Sequence, residues 1–492
     1  MAPAARDEAT KSIYEPQRWG LPMEAVDELG GRLYQIWDRF RECFKTRTRD
    51  TSPCAHNYLR GLLTMETKRT YANIARRVVD RDDDGQAMQQ FMSDSPWDAK
   101  PVFVQIQDEI AANPLLRGGM LCLDESGDEK AGDQSAGAAR QYLGRYGKVD
   151  MGQVGVCLSY HQGGTWAMVD AELFFPEGWF DRAHAELRTR WYVPENRRFA
   201  TKVQLGLDMI RQAHRRGFPF SVVGCDSLYG RKNSFRAALD AEGITYMADI
   251  PSTLEVYLEE PEMAVPESSP GKKGRPYSWN RMRRKIIAVE ARQVMELTGI
   301  QLQPVEVRHT ERGTLVYECA AQRVWKKNRR GEVRAEWLFI RREPDGSLSY
   351  SLSNAPEDTP LSQLAYWRSE RYFVERTFQD TKSEIGWDEL EARKYRSWMH
   401  HTALSALALW FIEQTKLDWA QSAPPDPELA RQLEIPALPA LSVSNVREML
   451  RAVLPLHQFT KKDAVQLITK HLVNRSRSTR SRLKSQQKHN SS

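Results

Sequence analysis

Apolar and polar positions alternate in more than one way along this 492-residue chain, and the changes mark its organisation. Up to about residue 115, apolar residues recur every three or four positions. Glu24 to Phe44 and Lys68 to Val79 follow this period, which predicts helices with one face on a core. From about 118 the period shortens. Runs at 119–124, 152–160 and 165–174 predict strands, the last two joined by a turn at His161-Gln-Gly-Gly164. A helix is expected at 200–216, a strand at 219–225, a helix at 231–242 and a strand at 244–250. Short β-like runs follow at Lys285–Glu290, Gln303–Arg308, Leu315–Gln322, Glu336–Arg341 and Leu348–Ser353. A long amphipathic helix is expected over 361–385 and a second over 399–416. Prolines 424, 425, 427, 436 and 439 then mark a linker, and a small helical piece covers 443–473.

Three antiparallel strands followed by alternating helix and strand is the order of an RNase H-like fold. The predicted class is α/β. It has an α-helical N-terminal domain (1–115), a catalytic core in two parts (116–250 and 359–418), a β-rich insertion (251–358) and a helical C-terminal region with a basic tail (419–492). A chain of this length exceeds one compact core, which agrees with several domains.

Composition narrows the function. No apolar run reaches the roughly 18 residues of a membrane span, and the N-terminus lacks a signal-peptide core. The expected location is cytoplasmic, at the nucleoid when DNA is bound, with no membrane partner. The cysteines are scattered without a Cys-x-x-Cys pair, so neither a zinc site nor a disulfide framework is expected. The net charge of +6 is modest, but cations gather at 271–285, at 323–330 (Arg-Val-Trp-Lys-Lys-Asn-Arg-Arg) and at 475–488. Such blocks suit phosphate contacts and also suit solvated loops.

Three acids stand at positions where a metal-dependent nuclease would put them. Asp124 ends Met-Leu-Cys-Leu-Asp, Asp226 ends Phe-Ser-Val-Val-Gly-Cys-Asp, and Glu375 lies inside the long helical segment. At about 100° per residue, Arg368, Arg371, Glu375, Phe378 and Lys382 share one face. A carboxylate between cations suits either a metal ligand with phosphate clamps or a surface ion-pair ladder of little energetic weight. Asp380, Glu384 and Asp388 fall off this face and read as solvated or capping.

Arg371-x3-Glu375-x6-Lys382 resembles the Tyr-x2-Arg-x3-Glu-x6-Lys motif of the IS4-like DDE transposases. The wider text is similar to the IS701 branch: Leu123-Asp-Glu-Ser-Gly127, Ala138-Ala-Arg-Gln-Tyr142, Gly147-Lys-Val-Asp150, Cys225-Asp-Ser-Leu-Tyr-Gly230, Leu352-Ser-Asn-Ala-Pro356 and Trp398-x-His400-His401. The resemblance runs from about 30 to about 415. It departs at Arg368, where the family motif has tyrosine.

The resemblance implies a catalytic and metal-binding triad of Asp124, Asp226 and Glu375. Two Mg²⁺ ions per active site are implied, with Mn²⁺ as a substitute. It implies double-stranded DNA as partner (terminal inverted repeats and target), a homodimer in the synaptic complex, and 3′-end joining by cut-and-paste, with a hairpin as one route of excision. Arg371 and Lys382 would contact phosphates, and Arg368 would replace the tyrosine there by charge. Arg140 and Lys148 are further DNA candidates. Trp279 or Trp325, the latter beside Lys326 and Lys327, would stack on a flipped base. His400-His401 would support the catalytic helix from behind. The alternatives are a domesticated DNA-binding relative without strand transfer, and a plain RNase H-like nuclease.

Overall fold

The computed structural model describes residues 12–266, 280–311, 313–458 and 460–489. Its N-terminal part is helical. In α1 (Leu29–Phe40), residues Leu29, Leu33, Ile36, Trp37 and Phe40 are all buried, as their spacing requires. Helices α2 (Ser52–Thr64) and α3 (Lys100–Ala112) complete this layer. The predicted Lys68–Val79 helix is shorter. It starts at Tyr71, capped by the Thr70 side chain, and ends in a π-turn at Ala75–Val79.

Ten strands form one mixed sheet: β1 (Gly119–Glu129), β2 (Ala139–Leu143), β3 (Lys148–Gln162), β4 (Thr165–Leu173), β5 (Phe220–Cys225), β6 (Tyr246–Ile250), β7 (Gln303–Thr310), β8 (Gly313–Lys327), β9 (Val333–Arg342) and β10 (Leu348–Ser353). The order is β7-β8-β9-β10-β6-β5-β1-β3, with β2 and β4 both paired to β3. The pairs β1–β5 and β5–β6 are parallel, and the other pairs are antiparallel. The β3–β4 turn is Gly163-Gly164, both with positive φ, the backbone a tight hairpin needs. This is a mixed α/β architecture around a large central sheet, consistent with an RNase H-like core.

Among the described residues, the segment after β6 forms only two short two-stranded pairings of its own, Glu255–Val256 with Val289–Glu290 and Met263–Ala264 with Arg281–Met282, and its longer strands join the central sheet. Strand β10 pairs with β6, so β7–β10 extend the central sheet and cover what would otherwise be an open edge. The predicted strand at Lys285–Glu290 shrinks to Val289–Glu290, paired with Glu255–Val256.

Helices α4 (Lys202–Arg215) and α5 (Asn233–Ala241) connect the parallel strands. The expected long helix at 361–385 is instead two, α6 (Leu361–Glu370) and α7 (Tyr372–Ser383), with Arg371 at the break. Behind them lies α8 (Tyr395–Ser422), buried on nearly every side through Ile412, as expected of a helix apolar all round. It shares one continuous apolar core with the N-terminal helices and the β1–β3–β4 face. Helix α9 (Val443–Val453) packs on α2. Helix α10 (Lys461–His489) is longer than the predicted C-terminal piece and includes the basic tail.

Candidate active site

The parallel register pairs Leu123 of β1 with Cys225 of β5, so the next residues, Asp124 and Asp226, stand side by side where that ladder stops. The two positions differ from a pair of strand ends. Strand β5 does end at Cys225, but β1 continues to Glu129 on β3, so Asp124 sits in mid-strand. Strand alternation puts Asp124 on the same face as Met120 and Cys122. These pack with Val222, Leu364, Ala365 and Val374 beneath α6 and α7. Asp124 thus faces the helix break, while Glu125 faces the other way, toward Lys202 (2.9 Å) and the Tyr229 hydroxyl (3.1 Å).

Asp226 also caps the turn that follows, accepting from the Leu228 N–H at 2.9 Å. The turn closes on Gly230, where a Cβ would lie 2.0 Å from the Asp249 carbonyl oxygen. Only glycine admits that approach, and it seats the second aspartate's turn directly on β6.

At the break, the Arg371 guanidinium is shared among three acids. It lies 3.0 Å from Asp249, 3.6 Å from Asp124 and 3.9 Å from Glu375. Glu375 is 60% exposed. Further along α7, Lys382 Nζ lies 2.9 Å from Asp128 Oδ1, on the same face of β1 as Asp124. The helix therefore lies along β1 with a cation at each end of its contact. Burial and the neighbouring Asp226 charge, opposed by Arg371, push the Asp124 carboxyl up to about 7. Burial and Glu125 push Asp226 up as well.

Two crowded carboxylates short of positive charge are the hard oxygen donors that suit a divalent cation. Among the described residues, no three acidic, histidine or cysteine groups converge closely enough to hold an ion as they stand. Glu375 stands apart from the aspartate pair, with Arg371 between it and Asp124. The donor chemistry of the aspartate pair fits a cation, and Glu375 would have to swing inward to join it.

The other sequence candidates scatter. Arg368 is 9% exposed and ion-paired with Asp249 (2.8 Å) and Glu343 (3.9 Å), so it is committed to acids within the protein. Arg371 at the break keeps helical dihedrals and its contact with Glu375 one turn on. Arg140 and Lys148 are exposed on the β2–β3 hairpin, with Lys148 paired to Asp150 at 2.6 Å. Trp325 is half-buried on β8, its backbone bridging Tyr257. Lys326 donates to the Glu255 carbonyl, and Lys327 is half-buried. Trp279 lies outside the described residues.

Asp380, expected to be solvated, is buried and accepts from Trp166 Nε1 at 3.1 Å. Glu384 and Asp388 hold Arg447 and Arg145. His401 joins Tyr58 of α2 (2.8 Å) to the Trp387 carbonyl (3.0 Å), and His400 Nε2 lies 2.8 Å from the Trp97 carbonyl. Sequence reasoning missed Asp249, which a lone acid within the strand Tyr246–Ile250 could have suggested, and Asp128, for which β1 had to be longer than expected.

A profile of the DDE superfamily endonuclease family matches residues 39–314, more than half of the chain and including both aspartates; the chain belongs to this family. Within it, the similarity is of the IS701 type. The chain is 25% identical over 356 residues to the probable transposase for insertion sequence element IS701 of Microchaete diplosiphon, covering 69% of this chain and 77% of that one.

Proposed function

We propose that this protein is a DNA transposase that cuts the ends of its element with Asp124, Asp226 and Glu375 and joins them to target DNA. The observation that carries the reading is the β1–β5 register. It sets the two aspartates together under the helix break that presents Arg371 and Glu375. Family membership and the IS701-type similarity support a transposase with DNA as partner.

Asp124 and Asp226 would hold a divalent cation, Mg²⁺ by preference, and Glu375 would complete a two-ion site. Bound there, the cations would lower the pKa of the attacking water or hydroxyl and stabilise the departing oxygen. The protein's own part is placement. The register fixes the aspartates on two strands. Arg371 presents a planar fork suited to a phosphate, and Lys382 a point charge. The exposed hairpin bearing Arg140, Tyr142, Tyr146 and Lys148, and the Trp325–Lys326–Lys327 stretch of β8, are the DNA contacts proposed outside the site. Cut-and-paste excision, a hairpin route and a dimeric synaptic complex belong to the same proposal.

Labelled terminal inverted-repeat DNA with Mg²⁺ or Mn²⁺ tests it. Wild type should release the flank, and Asp226→Ala should bind without cutting. Equal cutting by both would overturn the triad. Binding without cutting by wild type would point to a domesticated DNA-binding protein.

A further inference from the structure

Among the acids around Arg371, the nearest is not one of the proposed triad. Asp249 lies 3.0 Å from Arg371 Nε, whereas Asp124 and Glu375 stand off at 3.6 and 3.9 Å. Asp249 also lies 2.8 Å from Arg368 Nε, on the other side of the helix break. One carboxylate thus ties residues on both sides of Glu370, the last residue of α6. Asp249 is itself held firmly. It sits on β6 within the central sheet, Ser351 of β10 donates to its Oδ1 at 2.7 Å, and its backbone lies against Gly230.

We infer that Asp249 is a positioning residue that restrains the Arg371 guanidinium and keeps it from closing onto Asp124 and Glu375. This rests on the proposed reaction, because it matters only if those two acids must receive a cation. A guanidinium in full contact with them would compete with any divalent ion. A guanidinium drawn back by a third, immobile acid leaves their oxygens available and stays within reach of a DNA phosphate. The insertion between β6 and α6 contributes as well, because Ser351 on β10 steadies the restraint.

The test is calorimetric titration of Mn²⁺ into the DNA-free protein, which needs no turnover. Asp249→Asn should weaken Mn²⁺ binding about fivefold, as Arg371 moves onto the acids, and Arg371→Gln should tighten it by a similar factor. The double variant should match Arg371→Gln, because without the guanidinium there is nothing to restrain. A purely electrostatic loss of one negative charge would instead make the two effects add. Additive effects, or unchanged binding in Asp249→Asn, would overturn the inference. If Asp249→Asn does not fold by circular dichroism, Arg371→Gln alone decides: failure to tighten Mn²⁺ would overturn it. Single-turnover cutting of end DNA should show the same non-additivity. If wild type binds Mn²⁺ as described but cuts no DNA, the transposase reading fails while the restraint stands.

Discussion

Arg236 of α5 and Glu336 of β9 meet at 2.7 Å with both side chains fully buried. Arg334 (3.4 Å) and the Tyr246 hydroxyl add to the same carboxylate. The pair joins the helix after the second aspartate to a strand of the following segment, so β7–β10 are bound to the core by charge as well as by the sheet. Removing one partner leaves the other charged and dry. Glu336→Ala should therefore destabilise the protein by about 3–5 kcal/mol, read as a lower denaturant midpoint, whereas Arg236→Met with Glu336→Leu should recover most of that loss.

The Asp124 carboxyl, pushed up to about 7, sets a pH window for stability. Its folded pKa exceeds the unfolded value of roughly 4, so its contribution is fully present below pH 4 and is lost as pH rises toward 7. In EDTA, Asp124→Asn should match wild type in melting temperature at pH 4 and exceed it progressively up to pH 7, with a level difference above. Adding Mg²⁺ at pH 8 should stabilise wild type and leave the variant unmoved.

Lys382 is paired with Asp128 in the DNA-free protein. If it turns to a phosphate on binding, Lys382→Ala should lower the slope of log affinity against log salt for end DNA by about 1. The fold should lose only about 1 kcal/mol, the worth of a partly exposed pair. An unchanged slope would leave Lys382 a purely structural tie to β1.

His401 is held at about 4 by burial, below its unfolded value of about 6.5. Its contribution is present above pH 6.5 and is lost as pH falls toward 4, to the extent of roughly 3 kcal/mol. His401→Gln should flatten the fall of the melting temperature between pH 6.5 and 4 and leave end-DNA binding at pH 8 unchanged.

The order of β1, β3, β4, β5 and β6 was legible because these strands are short apolar runs with turn residues between them, and Gly163-Gly164 admits little but a hairpin, whereas β2, mostly half-exposed on the edge beside β3, carries no such run and was not foreseen. The position of β1's end was not legible either. Residues 125–129 carry charges and small side chains, and their pairing with β3 is a long-range choice. The break at Arg371 was hidden for a similar reason. Local propensity favours one helix through 361–385, and the Asp249 ion pairs to Arg368 before the interruption and Arg371 at it come from a strand more than a hundred positions away.

The sequence by itself determined which residue types would be available: two aspartates after apolar runs, a glutamate among cations, and the spacing of Arg371, Glu375 and Lys382. These lie in local strings, where periodicity and motif suffice. The tertiary structure alone decided their company. The β1–β5 register set Asp124 beside Asp226, the joining of β10 to β6 brought Ser351 to Asp249, and Asp249 took Arg368 into an ion pair within the protein. Ion pairs between residues more than a hundred positions apart leave no periodic trace in a chain, since they depend on which strands become neighbours.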